Sequence, residues 1–445
     1  MRRLRQVGKI VGVLAVLVVA GVALWLYLAP PALLRVGAGY SAKIVCSNLF
    51  IAGRDAEDVL AVDVQAPGHP LLRLMEVDGT ERRVRASLLG LFAANEAVYR
   101  NGLGCAVAPE GEVSNLSLPN PTAALSDAPT PWPAGEQVES DLAIARLLSD
   151  SALTGPGMRA VVVVRSGKVA GEVYGQGFSP ETPLLGWSMT KTVNAAIVGT
   201  LIRQGRLSLS DRALLPQWRG DERGEITLAQ LLAMEDGLAS NENYGAVTDV
   251  TRMLYLEPDM AAFAADAPLV AEPGTRFNYS SGSAVLISRI WMDRAGTPSA
   301  ALAYPREALF DPLGMESVVM ETDAKGTFVG SSYMYATARD WARFALFLLQ
   351  DGVWGGERLL PEGFVARMSE PNATSEGRYS MMQTWLAGRD AAGLPGDTFF
   401  LQGHDGQTIA VMPSRNIAVV RLGLTPRRDG YEVLRLVREV VRLSE

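Results

Sequence analysis

The chain has 445 residues, nearly half of them apolar, and a formal net charge of −7. That is enough for one large domain plus a smaller one, and neither the acidic balance nor any Lys/Arg run points to nucleic acid as a partner. The Rossmann and P-loop glycine patterns are absent, and with only His69, His404, Cys46 and Cys105 to draw on, a His/Cys metal cage is hardly available, so neither metal nor cofactor is expected.

Arg2, Arg3, Arg5 and Lys9 precede an unbroken apolar run over 10–29. About twenty apolar residues match a bilayer core. The positive flank predicts a cytoplasmic tail over 1–9, a transmembrane signal anchor over 10–29 and an exported body. The expected location is therefore the inner membrane, single-pass, with the body on the periplasmic side. A cleaved signal peptide is the competing reading, but it needs a small-x-small site, and 24–31 offers no good one. In an oxidising compartment an even cysteine count predicts a Cys46–Cys105 disulfide, with two buried free thiols as the alternative. The bridge would close a loop of about 60 residues, worth about 4 kcal/mol in the chain-entropy picture.

Residues 30–110 read as a small exported unit. Lys43-Ile44-Val45-Cys46 and Asn48-Leu49-Phe50-Ile51 have the composition of short strands, 71–77 of another, and 84–92 of a strand running into a turn. Residues 111–137 carry Pro119, Pro121, Pro129, Pro131 and Pro133, a linker composition. The main domain, 138–445, opens with a helix over 141–148. A hairpin follows, 160–164 against 169–174. Residues 408–412 and 417–422 form a second hairpin, and Val433, Leu434, Leu436, Val437, Val440 and Val441 mark a last amphipathic helix. Strands at both ends with a helical centre over 187–349 predict an α+β fold: one antiparallel sheet built from both ends and faced by helices.

Within that centre lies Ser188-Met189-Thr190-Lys191. On a helix, residues three apart share a face, so the lysine amine can take the serine proton and make Ser188 a nucleophile. The chain has five lysines against far more arginines, and Lys191 is the one with a serine three positions before it. A buried lysine can lose its proton and an arginine cannot. Val193, Ala196, Ile197, Thr200 and Leu201 continue at helical spacing, which puts Ser188 in the first turn, where the helix dipole favours an alkoxide.

Two further segments carry candidate chemistry. The turn-rich stretch 272–282 brings Tyr279 to the start of an apolar helix. Beside a lysine ammonium its phenol pKa should fall, which would let it act as a general base and acid. Gly403-His404-Asp405-Gly406-Gln407 precedes the 408–412 strand. Its glycines allow a backbone N–H to approach a ligand closely, as an oxyanion hole requires.

The order S-x-x-K, Y-x-S, H-x-G resembles the serine β-lactamase-related superfamily. It is closest to the branch of class C β-lactamases, D-alanyl-D-alanine peptidases, family VIII esterases and 6-aminohexanoate-dimer hydrolases. The 228–238 stretch resembles that branch's L-L-x-M-x-S-G-L, and 273–280 its P-G-x-x-F-x-Y-S. The likeness spans about 140–445 and implies a β-lactamase/transpeptidase-like fold with a mostly helical insert. It implies that Ser188 is acylated, Lys191 activates it, Tyr279 exchanges protons with leaving group and water, and the N–H groups of Ser188 and Gln407 form the oxyanion hole. Trp187, Ser281, His404, Gly406 and Tyr244 are the expected substrate contacts. A class C β-lactamase has Asn where this chain has Ser281, and Lys-Thr-Gly where it has His404-Asp405-Gly406. The expected partner is therefore a small amide or ester, with a D-Ala peptidase, a β-lactamase or a silent binding protein of the same fold as rival readings. Glu235-Asp236 replaces the branch's usual Thr/Ser pair.

Overall fold

The computed structural model describes residues 2–118, 130–388 and 392–444. Helix α1, Arg2–Leu28, contains Gln6–Leu28, which is long and apolar enough to cross a membrane and is exposed apart from the half-buried Ala23 and Leu26 near its end; length and composition of this kind also fit a signal sequence.

Pro31 then opens α2, Ala32–Phe50, a helix that takes in nearly all of the stretch 43–51 where short strands were expected. Ala38, Ala42, Ile44, Val45 and Cys46 are buried on all sides. A helix covered all round has no polar stripe, and its short apolar runs cannot be told from strands by periodicity. The cover is a short helix α3, Ala56–Val59, and a four-stranded antiparallel meander. Its strands are β1 Met75–Gly79, β2 Arg83–Leu88, β3 Phe92–Arg100 and β4 Gly104–Val107. The strand expected over 71–77 starts only at Met75, because Pro70–Leu74 is a tight 3-10 turn. Cys46 and Cys105 form a disulfide that ties α2 to β4.

Of the Pro-rich stretch 111–137, residues 119–129 lie outside the described residues. The flanks are held to the body: Ser114 N donates to Ala324 O at 2.8 Å, and the Arg343 guanidinium donates to Pro133 O at 3.0 Å and Gly135 O at 2.8 Å.

In the body, Asp141 caps α4, Leu142–Leu148, by accepting from the Ala143 and Ile144 N–H groups, and α5, Ser151–Thr154, follows. The two expected hairpins meet as β5 Met158–Arg165, β6 Lys168–Tyr174, β14 Gln407–Met412 and β15 Ile417–Gly423. With β12 Trp385–Leu386 and β13 Phe399–Gly403 they make a six-stranded sheet in the order β12-β13-β14-β15-β5-β6. Successive residues of β5 face opposite layers, as strand geometry dictates. Val161 and Val163 pack with α4 and with α13, Val433–Arg442, while Val162 and Val164 join the main core.

The centre of the chain supplies that main core. Strand β7, Leu184–Leu185, leads to α6 Thr190–Arg203, α7 Leu228–Leu232, α8 Asp249–Leu256, α9 Met260–Ala265, α10 Ser281–Ala295 and α11 Pro298–Pro305. Strands β8 Val319–Met320 and β9 Met334–Ala336 complete a small sheet with β7. Helix α12, Ala338–Leu349, backs the large sheet, and β10 Val353–Trp354 with β11 Glu357–Arg358 close a hairpin.

The N-terminal layer shares one hydrophobic core with this body. It is also pinned by a buried polar knot. Lys43 Nζ is paired with Glu321 and donates to Ser47 Oγ at 2.9 Å. Glu321 Oε1 accepts from Ser47 Oγ at 2.8 Å and from Cys105 N at 2.6 Å. Removing one partner of a buried pair strands the other charge without water, at a cost of about 3–5 kcal/mol. Lys43→Ala should therefore lower urea-unfolding stability by about that amount. Arg83→Ala, which breaks the exposed Arg83–Glu96 pair, should cost no more than about 1 kcal/mol. Equal small losses would show that Glu321 is solvated.

Candidate active site

The residues from the S-x-x-K motif come together at the start of α6. Trp187–Met189 is a 3-10 turn that runs directly into that helix. Trp187 sits at φ 49°, a left-handed conformation that a bulky residue adopts only under constraint. The constraint is visible on both sides. A Cβ on Gly186 would lie 2.3 Å from the Trp341 ring, and one on Gly403 would lie 2.2 Å from Gly186 O. Glycine at both places lets the end of β13 abut the turn that presents Ser188.

Lys191 is 1% exposed. Its Nζ donates to Ser188 Oγ at 3.2 Å, Ser281 Oγ at 3.2 Å and Ser331 O at 2.9 Å. Three acceptors match the three donors of an ammonium, but burial still disfavours the charge and lowers the pKa to about 8, against an upward pull from Glu242. Helix α10 is tied to α6 one turn further on, where Asn194 donates to Ala284 O at 2.9 Å and accepts from Trp291 Nε1 at 2.7 Å.

Tyr279 precedes Ser280, the N-cap of α10, whose Oγ accepts from Ser283 N at 3.0 Å. Its ring packs against Tyr379 and Trp385, with centroids 5.8 and 5.1 Å away. The phenol pKa does not fall as expected; burial drives it up, with only a partial counter-pull from the Ser188 hydroxyl. The reason is geometric. Lys191 Nζ stands over the Tyr279 ring, 4.7 Å from its centroid, and the nearby Glu242 carboxylate opposes a phenolate. Tyr279 is thus held protonated.

Ser281 departs from its expected place as a substrate contact. It is fully buried, and its hydroxyl accepts from Lys191 and donates to Glu242 Oε2 at 2.9 Å. Glu242 also accepts from Ser281 N at 2.5 Å. Burial raises the Glu242 pKa, and Lys191 pulls it down. Sequence reading missed this carboxylate: it lies in a loop rich in Asn, Gly and Ser, and nothing in its spacing separates it from Glu235 and Asp236. Those two turn out to be structural. Asp236 accepts from Leu238 N at 2.8 Å and Ser283 Oγ at 2.6 Å, and Glu235 accepts from Thr374 Oγ1 at 2.5 Å.

His404, Asp405 and Gly406 form a tight turn between β13 and β14. The His404 side chain is 47% exposed. It stacks on Tyr244 at 5.4 Å and meets the edge of Trp187 at 5.5 Å, so these three expected contacts form one aromatic wall. Gly406 has φ +85°, and its carbonyl accepts from the buried Arg421 at 3.1 Å. The Gln407 side chain locks the turn to β15: it donates to Gly423 O and accepts from Gly423 N at 2.9 Å. Gln407 pairs with Gly403, so its backbone stands beside the Gly186–Ser188 turn.

A sheet built from both ends of the main domain, a helical centre, and a Ser-x-x-Lys turn facing a tyrosine define the β-lactamase/transpeptidase-like fold. The Beta-lactamase family profile matches residues 151–441, and the chain belongs to that family. It is 25% identical over 335 residues to the 6-aminohexanoate-dimer hydrolase of Paenarthrobacter ureafaciens, covering 69% of this chain and 83% of that one. A Bacillus anthracis structure that carries 6-aminohexanoate-dimer hydrolase as a provisional name superposes with TM-score 0.56 at 22% identity, over 67% of this chain and 81% of that one. A penicillin-binding protein homologue from Caulobacter crescentus gives TM-score 0.54 at 16% identity, over 69% and 99%. At such identities the two structures speak for the fold.

The lysine pKa sets a measurable limb. The rate of fluorophosphonate labelling should rise with pH as Lys191 loses its proton, with a midpoint near the pKa of about 8. Glu242 holds that value up, so Glu242→Gln should move the midpoint to lower pH. A midpoint that stays put or moves up would contradict the proximity of the two charges.

Proposed function

We propose that the protein is a serine hydrolase that cleaves a small amide or ester through an acyl-enzyme on Ser188. The observation that carries this reading is the buried Lys191 amine, held 3.2 Å from the Ser188 hydroxyl and depressed to a pKa of about 8. Near neutral pH part of the population has a free amine able to take the Ser188 proton. The oxygen then attacks the substrate carbonyl, and the N–H groups of Ser188 and Gln407 receive the oxyanion. Tyr279, kept protonated by burial, gives its proton to the leaving amine or alcohol as the carbon–heteroatom bond breaks. The phenolate oxygen regains the proton that the lysinium gives up, which leaves both groups as they began. Water then enters and adds to the acyl carbon as Lys191 takes its proton; the carbon–Oγ bond breaks, the acid leaves, and the proton returns to Ser188 Oγ. Ser281 and Glu242 hold the lysine in place and balance its charge while it is protonated.

The relation to 6-aminohexanoate-dimer hydrolase favours a linear amide or a simple ester. The site favours the same class over β-lactams. Ser281 is buried beneath Lys191, and His404 carries no fixed charge where class C enzymes place a lysine. Loss of a charge-assisted contact costs roughly 10–150-fold in affinity. We also read α1 as a membrane anchor with the body on the periplasmic side, which fits the disulfide. After a carbonate wash the chain should stay in the membrane fraction with its N-terminus intact; a mature start beyond Ala29 would contradict the anchor.

Ser188→Ala should abolish fluorophosphonate labelling, and Lys191→Ala or Tyr279→Phe should each lower turnover by roughly 10²–10⁴-fold. p-Nitrophenyl acetate should turn over readily and nitrocefin slowly or not at all. Nitrocefin turnover well above the esterase rate would transfer the protein to the β-lactamase reading.

A further inference from the structure

A cavity of about 430 Å³ lies against Trp187, Tyr244 and His404, within the range of small-molecule pockets. The opposite wall does not belong to the family domain, whose match begins at residue 151. It is built by Leu33 and Val36 of α2 and by Leu71 and Leu72 of the Pro70–Leu74 turn. The cavity is therefore a mostly apolar space shared between the N-terminal layer and the aromatic wall beside Ser188, with His69 and Arg428 also on its lining.

A second observation concerns what surrounds it. The turn that sends Leu71 and Leu72 into the cavity leaves Leu74 46% exposed. Leu89 N donates to Leu74 O at 2.9 Å, and Leu89 and Leu91 are 51% and 65% exposed. Phe92, directly after Leu91, begins β3, the strand against which α1 packs, with Leu26 half-buried on the core. From Leu28, the end of α1, to Leu33 at the cavity the chain runs only five residues. Three exposed leucines thus lie within a few residues of Leu71 and Leu72 at the cavity and of the strand that α1 meets. Exposed leucines in such a cluster mark a contact with something apolar.

We propose that this cavity binds the apolar chain of an amphiphilic ester or amide, a lipid-like substrate whose carbonyl reaches Ser188. The proposal rests on the serine-hydrolase reading and narrows its substrate. The N-terminal layer then acts as a specificity element that the family domain lacks. The cavity meets the reacting groups at its aromatic side, where Trp187 on the lining directly precedes the nucleophile.

The test uses the full chain in nanodiscs and the acetate, octanoate and laurate esters of p-nitrophenol. Each buried methylene should raise kcat/KM about three- to fourfold until the cavity is full. The octanoate-to-acetate ratio of kcat/KM should therefore be at least tenfold in the wild type. It should fall at least tenfold in L71W or in L33W, which narrow the cavity from two different elements. Partition of the esters into lipid is common to all three proteins and cancels in the comparison. A flat ratio in the wild type, or a steep one that both variants leave unchanged, overturns the chain-binding site. Failure to hydrolyse the acetate ester, with no fluorophosphonate labelling, defeats the hydrolase reading itself and is told apart by the missing label.

Discussion

Burial of one amine organises the site. An ammonium taken out of water loses its hydration, and the protein either satisfies it or drives off its proton. Here it does some of each. Lys191 keeps three oxygen partners, yet its pKa drops to about 8. The elements around it serve that balance. The turn after β7 puts Ser188 on one side, α10 brings Ser281, and the segment before β9 offers the Ser331 carbonyl. Glu242, behind Ser281, keeps the charge from being lost altogether. A lysine at ordinary pKa would be a poor base near neutrality, and one stripped of every partner would be too weak a base to hold the serine proton.

The same constraint explains the tyrosine. With Lys191 over its ring face and Glu242 nearby, Tyr279 has reason to stay a phenol. In the proposed reaction the lysine is the base and the tyrosine the acid, and burial pushes the two groups apart in that direction by lowering the ammonium pKa and raising the phenol's. Strain at Trp187 sits directly before the nucleophile, in the 3-10 turn that carries Ser188 into α6.

Much of the fold was legible in the sequence. The valine-rich hairpin expected over 160–174, the hairpin expected over 408–422 and the last amphipathic helix each carry a clear period, and the six-stranded sheet joins the two hairpins as their positions at the two ends of the main domain imply. Ser188 and Lys191 were legible because their spacing is local, and Tyr279 because its turn-rich loop resembles the P-G-x-x-F-x-Y-S stretch of the related branch. Three features were not. The helix over 32–50 is covered on every side, so its pattern lacks the polar face that marks a helix. Glu242 reaches the site through a loop whose path no periodicity encodes. The inward turn of Ser281, away from substrate, depends on which face of α10 meets α6, a tertiary outcome. The elevated phenol pKa belongs to the same class, since proximity to a lysine says nothing about whether the charge faces the hydroxyl or the ring.

The most direct measurement is to find the acyl group itself. The protein is mixed with excess p-nitrophenyl acetate, quenched in acid within the first turnovers, and mapped by peptide mass spectrometry. The account predicts an acetyl group on Ser188, in an amount that matches the burst of p-nitrophenol. Turnover without any acetylated peptide, or with the acetyl group on another residue, would contradict it.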